Sequence, residues 1–340
     1  MDLAQPLASQ EVRAAVDEVL TSGRLIGGLV VEDLEAAVSA WLGRRHGVAV
    51  SSGTAALELA LQAMSIGPGD EVIVPAVSFV ATLGAVCRVG ATPVVVDTLD
   101  EGPWIDPAAI RAAVTDATAL IVPVHLFGRQ AQLDSEGVPV LDDACQATFP
   151  GGPSVGRCTA VSFYPTKILG GAGDGGMILT DDEDLDARLR RLRQHGCDAR
   201  GLVVEPGGTN ARMGALAAAV LLARMPTIPQ RLNRNRSIAA AYDDVLGDLA
   251  LPRADEPTVY VLRHPDRDRL AADLKTAGIP TAVYYPRCVH EHPAFADHVR
   301  VPRPLARAPQ YCEDSLALPL YAELGDDQID HIVETLRRVL

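Results

Sequence analysis

The chain has 340 residues, 48% hydrophobic and 22% charged, which suits a large domain with a smaller one attached and a sizeable core. A formal net charge of -14, with no long basic block, argues against nucleic acid as a partner. No apolar run reaches membrane-spanning length, and Met1-Asp-Leu-Ala-Gln lacks a basic start followed by an apolar core, so no membrane association is expected. The six cysteines contain no Cys-x-x-Cys pair and fit reduced thiols in a cytoplasmic enzyme. His290-Glu-His292 has the wrong spacing for two ligands on one helix face, so no metal is expected.

From residue 46 to 180, short apolar runs alternate with helical stretches. The runs at 47–50, 71–74, 93–97, 119–124, 138–142, 160–163 and 176–180 are near-continuously apolar, as strands buried on both faces must be. Helices are expected at 54–64 and 78–89, which makes an α/β fold with a mostly parallel sheet flanked by helices. A further helix runs from Thr180 to about His195. Its acidic start, Asp181-Asp-Glu-Asp184, suits the helix dipole, and Arg188-Leu-Arg-Arg-Leu-Arg193 reads as a solvated basic face. After a glycine-rich loop come helical stretches at 213–223 and about 230–246. Strand 259–262, helix 266–277, strand 281–285 and a closing helix from Asp326 form an α+β unit. The expected division is 1–235 for the large domain and 236–340 for the small one.

Four segments carry candidate chemistry. Lys167 stands in Ser162-Phe-Tyr-Pro-Thr-Lys167, followed by Gly170-Gly-Ala-Gly-Asp-Gly-Gly176. A lysine between a proline turn and a loop without bulky side chains can present its amine to a flat carbonyl cofactor. Ser51-Ser-Gly-Thr-Ala-Ala-Leu57 joins a strand to a helix, where free amides, Gly53 and hydroxyls make either a phosphate site or a plain helix cap. Asp142-Asp143 closes a strand inside the sheet; a buried carboxylate needs a cation such as a protonated pyridine nitrogen, unless it caps the next helix. Phe79, at a strand-to-helix junction, either stacks on a flat ring or packs in the core. Gly171 to Gly176 matches a dinucleotide fingerprint but precedes a strand and opens no helix, which excludes that reading.

Together these segments resemble the DegT/DnrJ/StrS-type sugar aminotransferases, which depend on pyridoxal 5′-phosphate and have the fold type I of aspartate aminotransferase. The resemblance runs from Ser22-Gly-Arg-Leu-Ile-Gly27 to Leu318-Pro-Leu320 and includes Val124-His-Leu-Phe-Gly128, Asp143-Ala-Cys-Gln-Ala147 and Asn210-Ala-Arg-Met213. It implies Lys167 as the Schiff-base lysine and proton carrier, Asp143 as partner of the pyridinium nitrogen, and Phe79 against the ring. Gln146 would lie near the ring hydroxyl. Gly53, Thr54, Ala55 and Ser162 would hold the phosphate, with Asn210 reaching it from the second subunit of a homodimer. The implied partners are an amino acid donor, such as L-glutamate, and a keto-sugar or keto-cyclitol acceptor. A sugar dehydratase of the same fold replaces the lysine by histidine, and a non-catalytic sensor or scaffold is the third reading. Shortened connections after Arg129 and Ala147, Ile168 after the lysine, and Ala217 in the segment following Asn210 depart from the family pattern.

Overall fold

A computed structural model describes residues 9–152 and 155–340. Five strands run parallel: β2 (Glu71–Pro75), β3 (Thr92–Val96), β4 (Thr118–Ile121), β5 (Leu141–Asp143) and β6 (Cys158–Ser162). With β1 (His46–Val50) and β7 (Gly176–Thr180) they form two sheets of order β3-β2-β4 and β5-β6-β7-β1. Parallel bridges Ile121–Val140 and Val124–Asp143 join these edge to edge. Only β7 runs against its neighbours, opposite to β6 and β1. Every residue of β6 and β7 is buried, so the apolar runs mark strands covered on both sides.

The cover comes from helices. Among them α1 (Gln10–Ser22) and α2 (Leu29–Leu42) were not foreseen, whereas α3 (Gly53–Ala63) and α4 (Val80–Arg88) lie at the expected places. The short α5 (Pro107–Ala113) follows β3, and α6 (Glu183–Leu192) follows β7 with Asp182 as its N-cap. Its arginines do not form a solvated face. Arg190 and Arg193 pair with Glu35, which is only 5% exposed, while Arg188 and Arg191 share Glu205. A buried carboxylate on α2 demands such partners, and that demand could not be read from α6 alone.

The chain then runs through α7 (Ala215–Arg224) into the long α8 (Ile228–Leu246). Ile228 and Leu232 pack in the core beneath the sheet, but Ile238, Ala239, Tyr242 and Leu246 belong to another core. That second core also holds β8 (Tyr260–Arg263), α9 (Arg267–Thr276), the strand β9 (Ser315–Leu318) that follows α10 (Arg307–Asp314), and α11 (Asp326–Val339). We propose the domain division at this change of core, between Leu232 and Ile238. β9 pairs antiparallel with β8. The strand expected at 281–285 is a single bridge, Ala282–Ala317, because Tyr284 and Tyr285 turn toward a cavity instead of continuing a ladder.

Candidate active site

A cavity of about 640 Å³ opens beyond the C-terminal ends of β4, β5 and β6, where open α/β sheets place their ligands. Its floor and one wall come from the sheet and the start of α3. The opposite wall comes from residues 258–259, 280–282, 284–285 and 317–321, around β8 and β9.

Lys167 lines this cavity and is one of only two lysines in the chain, with Lys275. Its loop is wound tightly: its amide donates to the Tyr164 carbonyl (2.8 Å), and the Gly171 amide to that of Phe163 (2.8 Å). A methyl group at Gly170 would lie 2.2 Å from the Pro165 carbonyl oxygen, so the glycine run serves a close turn behind the lysine. The guanidinium of Arg224, 9% exposed, donates to the Gly170 carbonyl and braces the loop from α7. Burial lowers the Lys167 amine below the ordinary lysine range, against the pull of Cys145 and Asp143.

Asp143, 4% exposed, ends β5 at the cavity. Its Oδ2 accepts the Thr82 hydroxyl (2.8 Å) and its Oδ1 the Cys145 amide (3.2 Å); Thr82 in turn contacts the Ser78 hydroxyl (2.7 Å). Asp142 faces the other way. It meets Nε2 of buried His125 (3.1 Å) and accepts the Gly156 amide (2.8 Å). The Ala131 amide donates to Nδ1 of His125, so the imidazole carries its proton on Nε2 and donates to Asp142. Among the described residues no helix stands between β5 and β6, which removes helix capping as the reason for either aspartate.

At the start of α3, Ser52 caps the helix by accepting the Ala55 amide (3.0 Å). The helix-cap reading of this segment therefore holds, and it leaves the phosphate reading to the residues beside the cap. Ala55 is committed to the cap and does not line the cavity, whereas Gly53 and Thr54 do. Their amides, first in the helix, have no carbonyl four residues back and point out of its N-terminus. Ser162, 9% exposed, packs against Gly53 so closely that a Cβ there would lie 2.8 Å from its own Cβ. Two amides at a positive helix end and a hydroxyl converge without a side chain between them.

Phe79 is 56% exposed at the head of α4, on the cavity wall, and its ring lies 6.1 Å from that of Tyr285. An aromatic left open inside a cavity is poorly explained by core packing. Gln146 also lines the cavity; its Oε1 accepts the Phe127 amide (3.1 Å) and its Nε2 donates to the Tyr285 hydroxyl (3.0 Å). Asn210 is different. It is exposed, accepts from Arg212 (3.2 Å) and lies outside the cavity of its own chain. Reading by sequence missed Thr82, Thr258 and Tyr285, which no local motif marks. Among the described residues no group of His, Cys, Asp or Glu could hold a metal ion.

A sequence profile of the DegT/DnrJ/EryC1/StrS aminotransferase family matches residues 6–337. The chain belongs to this family. It is 37% identical to a UDP-N-acetyl-3-dehydro-α-D-glucosamine 3-aminotransferase of Acidithiobacillus ferrooxidans, over 97% of this chain and 94% of that protein. It is also 37% identical to a pleiotropic regulatory protein of Geobacillus stearothermophilus, over 96% and 93%. The structure of Streptomyces venezuelae DesV in complex with a ketimine intermediate superposes with a TM-score of 0.91, at 35% identity and coverage of 96% and 94%. This member is thus an aminotransferase of the α/β fold described above, and its cofactor is pyridoxal 5′-phosphate, which solved relatives carry as pyridoxamine phosphate.

The cavity fits that cofactor. It offers an amine of lowered basicity, a buried carboxylate held by two donors, an uncovered helix N-terminus and an open aromatic face.

Proposed function

We propose that this chain moves an amino group from an amino acid, L-glutamate in the first place, to the keto group of a nucleotide-linked sugar or a cyclitol. The observation that carries this reading is the meeting of Lys167 and Asp143 in one cavity, beneath the free N-terminus of α3. The bound cofactor supplies a carbonyl carbon that takes up and returns the amino group, and a ring that spreads the electrons left by a departing proton.

The chain's residues do the rest. Lys167, with its amine held below the usual lysine range, is neutral in a larger fraction of molecules and so can take a proton at Nζ and return it. Asp143, fixed by Thr82 and the Cys145 amide, is poised to hold the pyridine nitrogen in its protonated form. Phe79 would cover the ring's face. The amides of Gly53 and Thr54 and the Ser162 hydroxyl would hold the phosphate, while Ala55 serves by keeping Ser52 in its capping position. Asn210, exposed beside Arg212, is assigned to the cavity of a second copy, which makes the working form a homodimer with shared sites. All six thiols are free, which supports a reducing, cytoplasmic setting.

The retained lysine weighs against a dehydratase, and the complete cradle weighs against a sensor without turnover. Purified protein loaded with pyridoxal phosphate should lose its visible absorbance on addition of L-glutamate and release 2-oxoglutarate. It should then aminate a nucleotide-linked 3-keto-sugar. No spectral change with any amino acid would sink the proposal; dehydrated product without incorporated amine would favour the dehydratase.

A further inference from the structure

Gln146 is held at three points, two of them by residues from the C-terminal third of the chain. The Phe127 amide donates to its Oε1 (3.1 Å), the Thr258 hydroxyl donates to its backbone carbonyl (2.7 Å), and its Nε2 donates to the Tyr285 hydroxyl (3.0 Å). A backbone N–H can only donate, so the oxygen end of the amide must face Phe127 and the nitrogen end must face Tyr285. That leaves one hydrogen on Nε2 and the phenolic hydrogen of Tyr285 without an acceptor among the described residues. Both side chains line the cavity that holds Asp143 and Lys167.

We infer that Tyr285 is a positioning residue: it fixes the amide of Gln146 so that the remaining Nε2 hydrogen is presented to the hydroxyl oxygen of the bound cofactor's ring, lowering the pKa of that hydroxyl. The inference rests on the cofactor reading given above. A donor aimed at an oxygen favours its deprotonated form. Tyr285 is well suited to stay a phenol while doing so, since burial and the nearby Asp143 raise it above the ordinary tyrosine range. The other titratable groups facing this place are Cys145 and Asp143 on the sheet side, Lys167 on its loop, and Tyr284 beside Tyr285. None of them is altered in the variants below. The tie also links the C-terminal third of the chain to the cofactor, because Thr258 and Tyr285 both come from it.

The test compares wild type, Tyr285→Phe, Gln146→Ala and the double variant, each loaded with pyridoxal phosphate, by titrating the visible absorbance of the lysine-bound cofactor against pH. Phenylalanine keeps the ring contacts with Phe79 and Tyr284, and thermal unfolding of the unloaded proteins checks the fold. Tyr285→Phe should raise the midpoint by about one pH unit, the tenfold change a lost hydrogen bond of ordinary strength allows. Gln146→Ala should raise it at least as much, and the double variant no further. An unmoved midpoint in Tyr285→Phe would overturn the inference. So would a double variant in which the two shifts add in full, since Tyr285 would then act without Gln146. A wild type that takes up no cofactor would defeat the cofactor reading itself, and this inference with it.

Discussion

Gly53→Ala tests the phosphate cradle at its tightest point. The new methyl would lie 2.8 Å from Ser162 Cβ, 3.0 Å from Cys145 Sγ and 3.2 Å from Ser162 Oγ. The sulfur can turn aside, but Ser162 Cβ is fixed by β6. Carbon atoms settle roughly 3.5–4.0 Å apart, so the first turn of α3 must retreat from Ser162 by about 0.7 Å or more. Overpacking of this kind costs about 1–3 kcal/mol. The cost appears either as lower stability of the unloaded protein or as weaker binding once the amides of Gly53 and Thr54 part from the Ser162 hydroxyl. Every 1.4 kcal/mol that falls on binding is about tenfold, so affinity should drop roughly 10- to 100-fold. Pyridoxamine phosphate is the right titrant, because it forms no bond with Lys167, and pyridoxamine without phosphate is the control. Fluorescence titration should show the loss for the phosphorylated form alone. Equal loss for both, or no loss of affinity together with unchanged stability of the unloaded protein, would refute the cradle as drawn.

Asp143→Asn should leave pyridoxal phosphate bound yet slow the L-glutamate half-reaction by about 100- to 1,000-fold, the usual effect of removing one preorganised polar group, as single-turnover absorbance would record. Thr82→Val takes one of two donors from Asp143 and should cost about 1 kcal/mol, seen as roughly fivefold weaker cofactor binding; a loss as large as that of Asp143→Ala would show that Thr82 does more than orient the carboxylate. Lys167 has a lowered pKa, so the folded protein binds fewer protons than the unfolded chain between the lowered value and the ordinary lysine value. Stability of the unloaded protein should therefore rise with pH through that window, and the penalty should be fully present below it. Lys167→Met should remove this pH dependence in denaturant melts and raise stability at neutral pH.

The strands of the sheet were legible because burial on both faces demands unbroken apolar runs such as Gly176-Met-Ile-Leu-Thr180. The site residues near them were legible for a related reason: Lys167, Asp143 and Gly53 follow strands or glycines whose local geometry says something about their surroundings. What escaped depends on contacts far apart in sequence. Thr82 meets Asp143 across 61 residues and Tyr285 meets Gln146 across 139. The run from Thr281 to Tyr285 has strand composition, yet its tyrosines are spent on the cavity. Glu35 turns the arginines of α6 inward, although they read as a surface face. The Ala55 amide went to the Ser52 hydroxyl, a choice between two acceptors that a Ser-Gly-Thr segment leaves open.

Only two side-chain amines exist in the chain, at Lys167 and Lys275, and only Lys167 lines the cavity. Reducing the protein loaded with pyridoxal phosphate with borohydride, then mapping the labelled peptide by mass spectrometry, therefore tests the central claim directly. The cofactor should be found on Lys167 at close to one per chain. Label on Lys275, or none on either lysine, would contradict the assignment on which the site rests.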